Sequence, residues 1–199
     1  MEPLRPATLA IFAKWPEAGK TKTRLIPAIG ADGAVAVYRK LLIHTVEQAR
    51  ASGLRVELRI SGASPQRFRE WLGDGFAIVD QGEGDLGARM ARVEAPALLI
   101  GSDAPEVTPE LLQQAARALE DAPVVIGPAD DGGYWLIGFR EPAPFLFEQM
   151  EWSVDSVLPE TLRRLAERGI EPAMLPVLTD IDTGEDLAKF PAFAPEAGR

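Results

Sequence analysis

The amino-acid sequence predicts an α/β protein in which a mostly parallel sheet is covered by helices on both faces. Short apolar runs typical of strands alternate with helical patterns along most of the 199 residues, as in sheets built with crossover helices. The link between two late strands is too short for a parallel crossover, so we expect one antiparallel strand. The length fits one domain, and since no repeat or linker interrupts the pattern, that domain is expected to span residues 1–199.

The elements follow from apolar periodicity and from turn residues. Seven strands are predicted, at residues 8–13, 54–60, 76–80, 97–101, 124–127, 134–139 and 172–176. Helices are predicted at residues 33–51, 65–72, 86–93, 109–120 and 156–168. Thr108 is a suitable N-cap before Pro109, and Thr183 with Asp186 matches a capping box that would start a further short helix.

Composition excludes several classes of function. The chain has no cysteine, one histidine and a formal net charge of −9. Disulfides and zinc–thiolate sites are therefore excluded, an acidic total disfavours nucleic-acid binding, and oxygen-ligand metals such as magnesium or manganese suit the remaining side chains. No apolar stretch is long enough for a membrane span or a signal-peptide core, so we expect a cytoplasmic protein without membrane contact.

A basic loop follows the first predicted strand. Residues 14–24 read KWPEAGKTKTR and hold four cations, which are Lys14, Lys20, Lys22 and Arg24. In open α/β sheets, the turn after the first strand is a common place for phosphates, and Pro16 and Gly19 would shape such a turn. The alternative is a solvated lysine-rich surface loop. A P-loop is not expected, because its first glycine would fall at the position of Lys14.

Acidic turns follow three later strands. The first contains Asp103 before Pro105, the second reads Asp130-Asp131-Gly132-Gly133, and the third holds Asp180 and Asp182. A lone Asp-x-Pro is most simply a turn cap, and Asp-Gly is also an ordinary hairpin signal. However, adjacent carboxylates repel each other unless a cation is close, so the three turns together indicate a cation site. Asp180 and Asp182 have no structural explanation in the sequence.

The third predicted strand leads into a glycine-rich loop, Gln81-Gly82-Glu83-Gly84-Asp85, which opens a helix. Such a loop permits close backbone contact with a flat or anionic ligand, although alone it is a weak signal.

With these segments in hand, the chain resembles the bacterial rSAM/selenodomain-associated transferase family. The resemblance is carried by the ordered blocks FAKWPEAGKTKTRL, QGEGDLGARM, IGSDAPEVTPELL, GPADDGGYWLIGF, WSVDSVL and DIDTGEDL. More distantly the chain is similar to 2-phospho-lactate and molybdenum-cofactor guanylyltransferases. The resemblance implies a three-layer α/β/α GT-A-like fold of the nucleotide-diphospho-sugar transferase type. One departure lies in the first loop, where the family's Ala-Pro-x-Pro-Gly is replaced by WPEAG.

The resemblance also implies roles for individual residues. Asp103 and Asp182 would bind Mg²⁺ or Mn²⁺, and Lys22 and Arg24 would contact the nucleotide phosphates and act in catalysis. Asp131 would be a metal ligand or a group that orients the acceptor, in a pocket bordered by Gly132 and Gly133. The remaining predicted nucleotide contacts are Lys14, Gly19, Gln81, Gly84 and Asp85.

Three functions remain open from the sequence. The first is nucleotidyl transfer from a nucleoside triphosphate to a small phosphorylated acceptor, favoured by the charge of the basic loop. The second is glycosyl transfer from a nucleotide sugar, which agrees with the family's usual label. The third is a non-catalytic nucleotide-binding protein. The base, the sugar, the acceptor and the oligomeric state do not follow from the sequence.

Overall fold

The computed structural model describes residues 5–152 and 154–196. Its strands are β1 (Thr8–Lys14), β2 (Arg55–Ser61), β3 (Ala77–Asp80), β4 (Ala97–Ile100), β5 (Val124–Pro128), β6 (Tyr134–Phe139) and β7 (Ala173–Met174). Its α-helices are α1 (Ile26–Ala51), α2 (Pro65–Leu72), α3 (Leu86–Ala91), α4 (Pro109–Asp121), α5 (Val157–Ala166) and α6 (Gly184–Lys189). None of the helices in these two ranges has the length and apolar character that crossing a membrane requires.

The strands form one sheet in the order β3-β2-β1-β4-β6-β5-β7. Strand β6 runs antiparallel to both of its neighbours, β4 and β5, and the other pairs are parallel. The predicted α/β class with one antiparallel strand is therefore confirmed. The reversal follows from the short β5–β6 link, which permits a hairpin and no crossover.

The sheet separates two apolar cores and forms the middle of three layers. One core contains Leu9 and Ile11 of β1 together with buried side chains of α1, α2 and α4. The other contains Ala10 of β1, Met90 of α3 and Leu165 of α5. Because successive strand residues face opposite sides, the apolar run of β1 supplies both cores, which explains its lack of polar alternation.

The main difference from the predicted elements is the start of α1, which begins seven residues earlier than the periodicity indicates. Gly30 interrupts the helix with φ 73° and ψ 170°, so two helical pieces join across a kink that blurs the apolar pattern. The predicted caps are confirmed: the Thr108 hydroxyl accepts from Leu111 N–H at 3.3 Å, and Thr183 and Asp186 form the capping box of α6.

A third apolar cluster anchors the late acidic turn to the body of the protein. Ile181 is fully buried and packs with Leu25, Val37 and Leu41 near the start of the chain. Its backbone N–H donates to the Asp103 carbonyl at 2.9 Å. The residues on either side of Ile181, which are Asp180 and Asp182, are thereby held beside the turn that follows β4.

Gly127 of β5 lies directly against the indole ring of Trp135 on the neighbouring strand β6. The Trp135 Nε1–H donates to the Pro176 carbonyl at 3.0 Å, so this ring ties the segment after β7 to the sheet. A side chain at residue 127 would overlap with the ring.

We therefore predict that Gly127→Ala lowers the free energy of unfolding by about 1–3 kcal/mol, because the Trp135 ring must shift to admit a methyl group. Gly101→Ala is the matched control, since a methyl group there meets only an ordinary contact with Asp103 at 3.7 Å. Urea denaturation of both variants checks the prediction. Equal stability of the two variants would show that Trp135 moves freely.

Candidate active site

The site lies where β1, β4, β5 and the segment after β7 end at the same edge of the sheet. A cavity of about 720 Å³ opens there. It is lined by basic-loop residues and by the acidic turns, with Lys14, Lys20, Lys22, Arg24, Tyr38, Asp103, Asp131, Asp155, Asp180 and Asp182 among its polar groups. The topology thus brings together the basic loop and the three acidic turns that the sequence singles out, at the edge where open α/β sheets bind ligands.

Lys22 is the centre of this arrangement. Its Nζ lies 2.7 Å from Asp103 Oδ1 and 2.7 Å from Asp182 Oδ1, while only 7% of its side chain is exposed. Burial alone would lower the pKa of Lys22, but the charges and hydrogen bonds of the two carboxylates outweigh it and raise the pKa above its ordinary value. The residue has a left-handed backbone (φ 48°), which is uncommon outside glycine and typical of functional positions.

The other cations of the basic loop are more accessible. Arg24 Nη1 lies 3.3 Å from Asp182 Oδ2 with 61% of its side chain exposed, and Lys20 forms a surface pair with Glu17 at 2.8 Å. The loop is closed by hydrogen bonds from the N–H groups of Lys20 and Thr21 to the Glu17 carbonyl, with Gly19 at φ 81° between them. These side chains can turn toward an anion without breaking a buried contact.

Tyr38 is a site residue that the sequence reasoning missed. The apolar periodicity of the sequence places Tyr38 only on the buried face of α1, and no local motif distinguishes it from the residues that pack beside it. Its hydroxyl accepts from the Lys14 N–H at 2.8 Å and donates to the Lys14 carbonyl at 2.9 Å. Burial raises the pKa of Tyr38 to about 12, so the hydroxyl stays protonated and fixes the start of the basic loop.

The sequence singles out Asp180, which is not among the predicted site residues. Its Oδ1 is buried and has no hydrogen-bond partner among the residues that the structure describes. Burial, reinforced by the negative charge of Asp103, raises the pKa of Asp180 to about 8. The signal in the sequence was that neither Asp180 nor Asp182 had a capping or turn role.

The turn between β5 and β6 places Asp131 on the cavity wall. Asp131 Oδ1 accepts from the Gly133 N–H at 2.9 Å, which closes the turn. Gly132 has φ 90°, and a Cβ there would overlap with the backbone of Asp155. The predicted Asp131, Gly132 and Gly133 therefore form one rigid edge of the site, and glycine is required at residue 132 for close approach.

The glycine-rich loop after β3 contains three of the predicted nucleotide contacts, which are Gln81, Gly84 and Asp85. The Gln81 side chain is buried and donates to the carbonyls of Ala13 and Arg59 at 3.2 and 2.9 Å. The Asp85 carboxylate caps α3 by accepting from the Ala88 N–H at 2.8 Å. Neither side chain lines the cavity, and nor does Gly84, so the geometry gives these predicted contacts no support beyond the loop's backbone.

The donor set suits a hard divalent cation. The acidic side chains of the site offer carboxylate oxygens, and the unpartnered Oδ1 of Asp180 would gain a partner from such an ion. In residues 5–152 and 154–196, however, no three His, Cys, Asp or Glu side chains are grouped as a ready-made metal site. Magnesium commonly uses one or two carboxylates together with substrate phosphates, and the arrangement fits that kind of shared site.

Comparison with known proteins agrees with this architecture. The family model described as "Uncharacterized protein conserved in bacteria (DUF2064)" matches residues 44–154, more than half of the chain, and the chain belongs to this family. No curated protein matches it. A solved structure of a candidate nucleotide-diphospho-sugar transferase from Desulfovibrio desulfuricans G20 is 32% identical, with a TM-score of 0.85 over 92% of this chain and 84% of that one.

More distant structures share the fold alone. Rv0371c from Mycobacterium tuberculosis H37Rv, solved as a complex with manganese, is 21% identical with a TM-score of 0.57, covering 94% of this chain and 98% of that one. The inositol-1-phosphate CTP transferase from T. maritima is 14% identical with a TM-score of 0.59, covering 96% and 95%. The fold is therefore that of the nucleotide-diphospho-sugar transferases and nucleotidyltransferases.

We predict that Lys22→Met lowers the free energy of unfolding by about 1–3 kcal/mol in metal-free buffer, because Asp103 and Asp182 lose their shared cation. The estimate is at the lower end for a buried pair, since 40% and 35% of the two aspartate side chains are exposed. Chemical denaturation measures the change.

The control is Lys20→Met, which removes a surface pair and should change stability by less than about 1 kcal/mol. If Lys22→Met is as stable as this control, the ammonium does not hold the two carboxylates together.

We further predict that Asp180 makes the metal-free protein progressively less stable as the pH rises from about 4 to about 8. The folded state keeps the Asp180 proton up to a pKa of about 8, whereas the unfolded carboxyl releases it near a pKa of about 3.9. The folded state thus binds more protons in this window, and the free energy of unfolding falls with increasing pH.

Asp180→Asn should remove this contribution and raise the melting temperature at pH 8 relative to the unchanged protein. Thermal denaturation of both proteins between pH 5 and pH 9 gives the comparison. If the melting temperatures of the two proteins changed with pH in parallel, the pKa of Asp180 would not be raised.

Proposed function

We propose that this protein is a transferase that uses a nucleotide as donor and holds the donor's phosphates between the basic loop and the acidic turns. The observation that carries the proposal is the placement of Lys14, Lys20, Lys22 and Arg24 beside the clustered aspartates in one cavity at the strand ends. A polyphosphate with a divalent cation complements such a surface, because the anion meets the cations and the metal meets the carboxylates.

Different residues of the site would contact the phosphates, the acceptor and the metal ion. Lys22 and Arg24 neutralise charge on the transferred or departing phosphate, and the preorganised ammonium of Lys22 requires little rearrangement. Asp131, fixed by its turn, orients the acceptor at the other side of the cavity. Asp103 and Asp182 would hold Mg²⁺ or Mn²⁺, with Asp180 available beside them; the ion supplies Lewis-acid stabilisation of phosphate oxygens.

Two donors fit this site. The number of cations favours a nucleoside triphosphate, from which a nucleotidyl group passes to a phosphorylated acceptor with release of pyrophosphate. The names of the neighbours support both candidates, since one is a CTP transferase and the 32%-identical structure is named for nucleotide-diphospho-sugar transfer. A nucleotide-sugar donor with a hydroxyl acceptor is the second candidate, and the apolar cavity beside Asp180 favours it.

The remaining predictions stay proposals. We propose one domain over residues 1–199, membership of the rSAM/selenodomain-associated group and a cytoplasmic location. A non-catalytic nucleotide-binding role is disfavoured, because several carboxylates converge on one cavity beside an unpartnered buried oxygen.

A thermal-shift panel tests the proposal. We expect Mg²⁺ alone to shift the melting temperature little, because the chain provides no complete ligand set, and Mg²⁺ with the correct nucleotide to stabilise the protein by about 2.7 kcal/mol at a hundred times the dissociation constant. Stabilisation by one triphosphate identifies nucleotidyl transfer and its base, whereas stabilisation by a nucleotide sugar identifies glycosyl transfer.

Asp103→Asn should lose the metal-dependent part of the shift. Asp32→Asn, an exposed position on α1, serves as the matched control and should retain it. A melting temperature that responds to no nucleotide in the unchanged protein would refute the proposed function.

A further inference from the structure

A second cavity of about 200 Å³ adjoins the site and differs from it in chemistry. The two cavities share Asp131, Val154 and Asp180 in their walls. The second cavity continues between α3 and β6, where its walls are mainly apolar or aromatic: Phe12, Leu86, Met90, Trp135, Trp152 and Val157. A dry apolar cavity of about 150 Å³ is sufficient to bind benzene, so one ring with a small substituent fits this space.

Three buried side-chain atoms without hydrogen-bond partners in the described part of the chain belong to residues that line this cavity. They are Tyr134 Oη, Trp152 Nε1 and Asp180 Oδ1. The Thr161 hydroxyl, which donates to the Val157 carbonyl at 2.9 Å, lies beside the Tyr134 phenol and can still accept its proton. Buried polar atoms nearly always have partners, so the two atoms that remain, Trp152 Nε1 and Asp180 Oδ1, indicate a polar group that is supplied from outside the protein.

The charge of the walls restricts what that ligand is. Within residues 5–152 and 154–196, the residues that line the second cavity include no lysine, arginine or histidine, while Asp131 and Asp180 lie at the end shared with the site. A phosphate or carboxylate in this space would have no counter-ion among these residues and would face the Asp131 carboxylate, which is unfavourable in an apolar surrounding. A hydroxyl group suits it, because a hydroxyl can donate to Asp180 Oδ1 and accept from the Trp152 indole N–H.

We propose that this second cavity binds the uncharged, ring-sized apolar part of the acceptor and that a hydroxyl group of the acceptor lies at the end lined by Asp180. The inference rests on the proposed function for the identity of the ligand as an acceptor. It restricts the acceptor to a molecule whose body is apolar and neutral, and it favours transfer to a hydroxyl over transfer to a phosphate located in this cavity.

Benzyl alcohol is a suitable probe, and the indole N–H signals of the ¹⁵N-labelled full chain report its binding. We expect benzyl alcohol to shift the Trp152 signal, which is identified by its loss in Trp152→Phe, and to leave the Trp71 signal unchanged. Benzyl phosphate should bind at least about fivefold more weakly. No shift of the Trp152 signal, or equal affinity for benzyl phosphate, would overturn the proposal.

Leu86 provides a blocking variant, because it lines the cavity and is 41% exposed, so a larger side chain should not disturb the core. Leu86→Tyr should weaken binding of benzyl alcohol by about fivefold or more. Ile43→Tyr makes a comparable change at a residue of α1 that is 39% exposed, and it should bind as the unchanged protein does. Equal affinity in both variants would place the probe elsewhere.

This experiment needs no nucleotide, so its outcome is separate from that of the thermal-shift panel. Binding of benzyl alcohol without any nucleotide response would retain the cavity's chemistry and refute the transferase. A nucleotide response without binding of benzyl alcohol would support the transferase and refute the proposed acceptor cavity.

Discussion

The ammonium group of Lys22 lies between the carboxylates of Asp103 and Asp182, 2.7 Å from each. These three residues come from the loop after β1, the turn after β4 and the segment after β7, which are far apart in the sequence. Without a cation the carboxylates would repel each other at the centre of the site. The closure of the site therefore depends on a positive charge at this point, and the chain supplies one itself. If a metal ion bound the two carboxylates, it would replace the Lys22 ammonium as their partner. The ammonium could then pair with a phosphate of the nucleotide.

A few buried residues outside the proposed reaction hold the elements that carry Lys22, Asp103 and Asp182 in place. Ile181 packs into an apolar cluster with α1 and donates its N–H to the Asp103 carbonyl, so two acidic turns are joined by backbone as well as by charge. Strand β5 runs in the same direction as β4 and brings the Asp131 turn to the same edge, and Trp135 of the reversed strand β6 ties this hairpin to the segment after β7. The carboxyl end of β5 thus places a fourth acidic group in the cavity that the basic loop lines. Strand β6 also forms one wall of the adjoining apolar cavity.

The fold class, the order of elements and the meeting of basic loop and acidic turns could be predicted from the sequence, because strand ends in an open sheet converge whatever the details of packing. The start of α1 could not, since Gly30 breaks the periodicity within the helix. The roles of Tyr38 and Gln81 also escaped prediction for a physical reason. Both are decided by tertiary hydrogen bonds to the backbone of β1 and β2, and such contacts leave no local pattern. The second cavity likewise depends on how α3 packs over β6, which no single segment specifies.

The protein has a charged cavity, which we propose holds phosphates, and an adjoining apolar cavity, which we propose holds the body of the acceptor. A crystal structure with Mn²⁺ and the nucleotide that gives the largest thermal shift tests this most directly, because anomalous scattering locates the metal. The account predicts manganese within about 2.5 Å of Asp103 and Asp182 oxygens, with the phosphates contacted by Lys22 and Arg24. A nucleotide bound at the opposite end of the sheet, in the cavity of about 290 Å³ lined by Arg5, Arg55 and Arg140, would contradict it.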